Sequence, residues 1–307
     1  MAFVTRFAPS PTGPLHLGHA YSAILAHDMA RAHGGTFLLR IEDIDPQRSK
    51  PAYEMQLLDD LGWLGLVWDH APMRQSDRMP VYQTALDTLW RRGLLYPCTC
   101  TRRDIEGALS APQEGTILPL GPDGLIYPGT CRDKAMERTF PEADPRPKDT
   151  VLRLDMARAV VAPGIFVQSD TSDGGWQGLA GYRETGQGVE RSRLIEFTPQ
   201  DMIEGVGDFV IARREIGTSY HLSVVLDDAA QGVSHVVRGA DLADATRIHV
   251  VLQRLFDLPT PIYHHHRLIR DEAGKRLAKR DDARALSKYR AEGASPDDIR
   301  RMVGLQV

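Results

Sequence analysis

Residues Arg6–Ala20 read RFAPSPTGPLHLGHA, and the two histidines near its end, His16 and His19, decide how the rest of the chain is read. Phe3–Ala8 has strand character, PSPTGP (9–14) is a turn punctuated by proline and glycine, and from Leu17 a helix begins. Its apolar positions Leu17, Ala20, Tyr21, Ile24, Leu25 and Met29 follow helical spacing, and Gly34 and Gly35 stop it. TFLLRI (36–41) then reads as a buried strand running into Glu42, Asp43 and Asp45. Strand, helix and strand in this order form a βαβ unit with parallel strands, and ligands of such sheets bind beyond the carboxyl ends of the strands. The SPTGPLHLGH turn and the IEDID cluster both lie at such ends.

A helix N-terminus offers unpaired N–H groups and the positive end of the helix dipole, and Gly18 lets a phosphate approach the backbone there. Imidazoles three residues apart share one face of the first turn and can donate to the oxygens of a phosphate undergoing substitution. This is the chemistry of nucleotide transfer. On spacing alone the alternative stays open that these are two partly exposed histidines at a helix start. A metal pair is disfavoured, because no acid is placed as in HExxH.

The remainder of the chain limits the class. Its 307 residues, 42% hydrophobic, 25% charged and 7% aromatic, suit a soluble globular protein of two or three subdomains. Neither an apolar stretch long enough for a bilayer nor a secretory leader is apparent, so the cytoplasm is expected and a membrane partner is not. A net charge of −4 gives no global nucleic-acid signature, though a local basic face would suffice. Three cysteines, an odd number clustered at 98, 100 and 131, argue against a disulfide framework.

Further helices are expected at Ala52–Gly62 and Pro80–Gly93. From Tyr96 to about residue 190 the chain is rich in Pro and Gly, includes the loop-like SDTSDGGWQGLAGYRETGQG (169–188), and reads as an inserted subdomain. GDFVIARR, YHLSVVLDD and SHVVRGADL then read as strands, and ATRIHVVLQRLF as a helix, so the first sheet is expected to resume. On that reading Asp227 and Asp228 close a strand and shape the site. His264–His266 alternate sides of an extended segment, so they are given no metal role.

RFAPSPTGPLHLGHA resembles the HIGH-type signature of class I aminoacyl-tRNA synthetases, in the form used by the glutamyl and glutaminyl branch. RIEDIDPQRS and TSYHLSVVLDDAAQGVSHVVRGADL resemble two further stretches of that branch, in the same order. GKRLAKRDD resembles its KMSKS-type loop in degenerate form: Arg276 keeps a cation, Ala278 removes a hydroxyl, and Lys279 keeps the ammonium. The resemblance implies an α/β class I synthetase fold: a Rossmann-like nucleotide-binding domain, an inserted zinc-bearing connective subdomain and a short helical C-terminal tail. It divides as 1–95, 96–190 and 191–307. The implied catalytic residues are His16, His19 and Lys279, with Gly18 and Arg276 joining them around ATP and its Mg2+.

A glutamate substrate carries two carboxylates and an ammonium, so its pocket needs arginines and an acid. The resemblance supplies Arg6 and Arg238 for carboxylates and Glu42 for the ammonium, with Ala8, Ser10 and Tyr220 completing the wall. Taken alone, each arginine reads equally as a surface ion pair and Tyr220 as a core residue. Cys98, Cys100 and Cys131 can reach one tetrahedral zinc. The resemblance adds Tyr127 as fourth ligand, the alternative being three reduced cysteines without metal.

Only 27 residues follow Arg280, too few for an anticodon-reading domain. In this the chain resembles the glutamyl-Q-tRNA(Asp) synthetases, truncated paralogues of glutamyl-tRNA synthetase. They activate L-glutamate with ATP, without tRNA, and transfer it to queuosine at the wobble position of tRNA(Asp). A monomer without protein partners is expected. The alternatives are conventional glutamyl-tRNA synthetase-like activity, a nucleotidyltransferase without tRNA, and a non-catalytic paralogue.

Overall fold

A computed structural model describes residues 2–110, 118–132, 144–170, 176–186, 192–270 and 284–306. The opening unit forms as its pattern requires: β1 (Val4–Phe7), α1 (Leu17–Ala32) and β2 (Thr36–Ile41), with β1 and β2 parallel in the register Val4↔Thr36 to Phe7↔Leu39. The apolar stripe of α1, including Leu17, Ala20, Tyr21 and Ile24, is buried against this sheet. α2 (Pro51–Trp63) begins with a proline, where the missing N–H costs nothing, and β3 (Met73–Arg74) adds a parallel edge to β2. α3 (Met79–Arg91) follows, close to its expected bounds.

The chain then leaves the sheet. β4 (Leu95–Cys98) enters a segment comprising α4 (Arg102–Ser110) and the hairpin of β5 (Leu120–Gly121) and β6 (Gly124–Leu125). β7 (Val151–Leu154) returns antiparallel to β4, and α5 (Met156–Val160) and β8 (Val167–Asp170) come next. β9 (Trp176–Glu184) pairs antiparallel with β10 (Arg193–Phe197). α6 (Pro199–Gly205) and β11 (Val210–Ala212) follow, β11 joining β7.

Two expectations are corrected here. WQGLAGYRE is strand β9 rather than loop, and Tyr263↔Glu184 pairs it with a strand of the resumed sheet. Its glycines mislead because they are needed for close approach: a Cβ on Gly181 would lie 2.5 Å from the Ile195 carbonyl oxygen. YHLSVVLDDAA is α7 (Tyr220–Ala230) rather than a strand, begun by Ser219, whose hydroxyl accepts from the Leu222 N–H. His221 to Val225 are all buried, so no amphipathic period marks the run as helical.

β12 (His235–Gly239), α8 (Thr246–Leu255) and β13 (Ile262–His266) complete the parallel sheet, β12 pairing with β13 from His235↔Ile262 to Gly239↔His266. The Ser234 N–H donates to the Val4 carbonyl at 3.1 Å, setting β12 beside β1. α9 (Leu286–Ala291) and α10 (Pro296–Met302) form a helical tail whose Ile299 and Val303 bury against the first core. Before α9, Ala285 bridges His16, and the Leu286 N–H donates to the Leu15 carbonyl at 2.8 Å. No described helix is long and apolar enough to cross a membrane.

Candidate active site

The turn after β1 is held against the end of β2, where the Pro9 carbonyl accepts from the Glu42 N–H at 3.0 Å. This brings Ala8 and Ser10, both half-buried, beside the acidic cluster. His16 is the N-cap of α1. Its Nδ1 accepts from the Gly18 N–H at 3.1 Å, and His19 Nδ1 accepts from the His16 N–H at 3.2 Å. With both Nδ1 atoms accepting, each neutral ring carries its proton on Nε2 and is a donor there. A Cβ at Gly18 would stand 3.0 Å from His16 Cε1, so the capping ring would have to shift to admit it.

At the ends of β1, β2 and β12 lies a buried charge cluster. Arg6 Nε and Nη2 donate to the two oxygens of Asp228 at 2.9 and 3.3 Å. Arg40, fully buried on β2, donates from Nη1 to Asp228 at 2.6 Å and from Nη2 to Glu42 at 3.2 Å. Burial pulls the Asp228 carboxyl upward, but the Arg6 and Arg40 guanidiniums outweigh it and hold it below the usual carboxylate range. For Glu42 burial wins over the same two arginines, and its carboxyl is raised. The half-buried Tyr220, raised chiefly by burial, feels the charges of Arg238, Glu42, Arg6 and Asp228 together. Arg6 and Arg40 thus share the carboxylates Asp228 and Glu42, with Arg238 a third guanidinium close enough to act on Tyr220.

Arg238 is itself buried. Its Nε donates to His265 Nε2 at 3.2 Å, its Nη1 to His249 Nδ1 at 3.0 Å, and its Nη2 to Thr246 Oγ1 at 2.7 Å. Asp227 faces away from this group and accepts from Gln75, Arg78 and Tyr82, tying α7 to α3.

The three cysteines converge, their sulfurs all within 4.8 Å of one another. The Tyr127 hydroxyl lies 3.6 Å from Cys98 Sγ and 3.3 Å from Cys100 Sγ, and Cys100 and Cys131 are 3.4 Å apart. Donors around a tetrahedral Zn2+ are spaced by roughly 3.3–3.8 Å, so three thiolates and a phenolate in this arrangement fit such an ion. Arg153 stacks its guanidinium 3.8 Å over the Tyr127 ring and donates to Cys98 Sγ at 3.3 Å, bringing a cation to an anionic donor set. Burial pushes the Cys131 thiol up, but hydrogen bonds from Tyr127 and Thr99 outweigh it and lower it to about 6. Burial raises Cys100 to about 11. A cleft of about 980 Å³, lined by Cys100, Tyr127, Asp123, Arg213, Tyr220 and His221, runs from this cluster to Tyr220.

The structure thus gathers Arg6, Ala8, Ser10, Glu42, Tyr220 and Arg238 around the strand ends, His16, Gly18 and His19 at the adjoining helix start, and Cys98, Cys100, Tyr127 and Cys131 at the far end of the cleft. Arg276 and Lys279 lie outside the described residues. Sequence reasoning passed over Arg40, His249, Glu184 and Arg153, and it gave Asp228 only a shaping role and His265 none. A buried arginine within TFLLRI, where a strand otherwise reads as apolar, was the signal for Arg40.

Comparison with known proteins bears on the family and the fold. Residues 2–116 and 192–306 match the family model of class I tRNA synthetases (E and Q), catalytic domain. A glutamyl-Q tRNA(Asp) synthetase of Rhodobacter capsulatus is 64% identical over 302 residues, covering 98% of this chain and 100% of that protein. One from Ralstonia nicotianae is 39% identical over 303 residues, covering 98% and 84%. Among solved structures, a glutamate tRNA ligase from Elizabethkingia meningosepticum, in complex with its amino acid, superposes with a TM-score of 0.68 at 24% identity. That likeness covers 99% of this chain but 60% of the ligase, and concerns the fold.

Proposed function

Since the chain belongs to the class I tRNA synthetases of the E and Q branch and is a ligase of the glutamyl-Q tRNA(Asp) synthetase kind, we propose that it activates L-glutamate with ATP and passes it to queuosine in tRNA(Asp). In the first step the glutamate α-carboxylate attacks the α-phosphorus of ATP and pyrophosphate leaves. The Nε2 protons of His16 and His19 stabilise the phosphoryl oxygens, Gly18 leaves room for the nucleotide, and Arg276 and Lys279 add cations. When bound with ATP, Mg2+ neutralises phosphate charge. In the second step a hydroxyl of the queuosine cyclopentenediol attacks the glutamyl carbonyl, giving an ester and AMP.

Arg6 and Arg238 pair with the substrate carboxylates and Glu42 with its ammonium, beside Ala8, Ser10 and Tyr220. The observation that carries this reading is the meeting of the guanidiniums of Arg6 and Arg238 and the carboxylate of Glu42 around Tyr220 at the buried strand ends. A raised Glu42 carboxyl supports its part, since an incoming ammonium supplies the counter-charge it lacks. The open cleft beside Tyr220 is the route by which a nucleotide base reaches the site. A Zn2+ held by Cys98, Cys100, Tyr127 and Cys131 crosslinks the connective segment and takes no part in the chemistry.

Glutamate-dependent ATP–pyrophosphate exchange in the absence of tRNA tests the first step, and its absence at saturating ATP, Mg2+ and glutamate rejects it. Glutamate incorporation into tRNA(Asp) with and without queuosine tests the second. Equal labelling of the two, or preference for tRNA(Glu), rejects the assigned acceptor.

A further inference from the structure

Arg238 lies at the centre of a hydrogen-bonded chain that crosses the molecule. On one side its Nε meets His265 Nε2, and the far nitrogen of that ring, Nδ1, is hydrogen-bonded to the Glu184 carboxylate. Glu184 is further fixed by the backbone N–H groups of His265 at 3.0 Å and Gly186 at 2.6 Å. On the other side Arg238 Nη1 meets His249 Nδ1 at 3.0 Å, and His249 Nε2 lies 3.0 Å from His221 Nδ1. His221 Nε2 in turn reaches both oxygens of Asp123, at 2.9 and 3.0 Å.

A guanidinium has only donors, so the imidazole nitrogens facing it must be unprotonated acceptors. A neutral His249 therefore carries its proton on Nε2 and gives it to His221 Nδ1. His221 then carries its own proton on Nε2 and gives it to Asp123. A neutral His265 carries its proton on Nδ1 and gives it to Glu184. Each of these links has one donor and one acceptor, and a carboxylate ends each arm. Burial, with Arg238 beside it, holds His249 well below its ordinary value, and the hydrogen bond from His265 brings Glu184 down to about 2 against its burial.

The two arms differ in where they end. Glu184 belongs to β9, in the same sheet as Arg238. Asp123 stands in the turn of the β5–β6 hairpin, part of the connective segment, and its side chain is 46% exposed. That hairpin is seated on the end of α6, where a Cβ on Gly121 would meet the Gly205 carbonyl oxygen at 2.8 Å.

We propose that Asp123 is a positioning residue for glutamate recognition, acting through His221 and His249 to fix the plane of Arg238. The connective hairpin and the amino-acid pocket are thereby one hydrogen-bonded unit. This rests on the reading of Arg238 as a carboxylate-binding residue.

Asp123→Ala removes an exposed side chain and leaves the core packing untouched. It should raise the KM for glutamate by about fivefold, the worth of one hydrogen bond, with kcat and the KM for ATP unchanged in pyrophosphate exchange. Asp123→Asn keeps an accepting oxygen and should restore the parental KM. Nitrogen NMR of the imidazoles, read without substrate, should find His221 and His249 protonated on Nε2 in the parent. An unchanged glutamate KM in Asp123→Ala, or protonated Nδ1 on either ring of the parent, overturns the proposal. A parent without glutamate-dependent exchange instead removes the reading of the pocket on which it rests.

Discussion

Asp60 offers the most quantitative test of the structure. It lies on α2 with 1% of its surface exposed, between Leu57 and Leu61, both buried in the first core, and its Oδ2 has no hydrogen-bond partner among the described residues. Burial, with Asp59 adding to it and Arg290 opposing, raises its carboxyl from the ordinary 3.8 to about 6. The protonated form is thus favoured by folding. Stability is intact at pH values below that of the unfolded carboxyl and is lost as the pH rises through 6. Two pKa values this far apart amount to a penalty of about 1.5 kcal/mol at pH 5 and about 3 kcal/mol at pH 8. Asp60→Asn stays neutral throughout, with nearly the same shape. Its stability advantage in urea denaturation should therefore roughly double between pH 5 and pH 8. An advantage that is constant with pH, or a variant less stable than the parent at pH 8, would refute the argument that a buried carboxylate is being ionised there.

Other substitutions test the site. Gly18→Ala drives a methyl into His16 and should cut the rate of exchange at least tenfold with the melting temperature nearly unchanged, so parental turnover would count against the two-histidine reading. Arg40→Met leaves Asp228 and Glu42 without their shared buried partner and should cost about 3–5 kcal/mol in chemical denaturation, whereas a loss under 1 kcal/mol would show the cluster to be solvated. Because Glu42 is raised by burial and must be ionised to hold an ammonium, the glutamate KM should fall as the pH rises through its titration, and Glu42→Gln should flatten that profile. Cys98→Ser should lose one equivalent of zinc by metal analysis, and parental zinc content in that variant would remove Cys98 from the donor set.

What was legible in the sequence was local. The α1 stripe, its stop at Gly34 and Gly35, and the strand TFLLRI are statements about neighbours along the chain, and they hold. YHLSVVLDD was misread because a helix buried on nearly every side has no polar face to declare its period. The strand ending at Glu184 was misread because its glycines answer to a neighbouring strand rather than to a turn. The Arg40–Asp228 ion pair spans 188 residues, and no spacing rule connects positions so distant. The three cysteines were legible because their chemistry, rather than their surroundings, singled them out, whereas Tyr127 came only with the family resemblance.

The clasp between Leu15 and Leu286, with Ala285 beside His16, has a consequence for how the molecule is made. The turn that carries His16 leaves the ribosome about 270 residues before its backbone partner, since Leu15 is paired with Leu286. At about 5–20 residues per second, the nascent turn waits tens of seconds for that partner. Asp28 waits as long for Arg300, to which it pairs at 2.7 Å. A nascent chain that has not reached residue 286 leaves the His16 turn without this backbone partner. The start of α1 is thus tied by a contact of long sequence separation, which forms only after the chain between its two halves has been made.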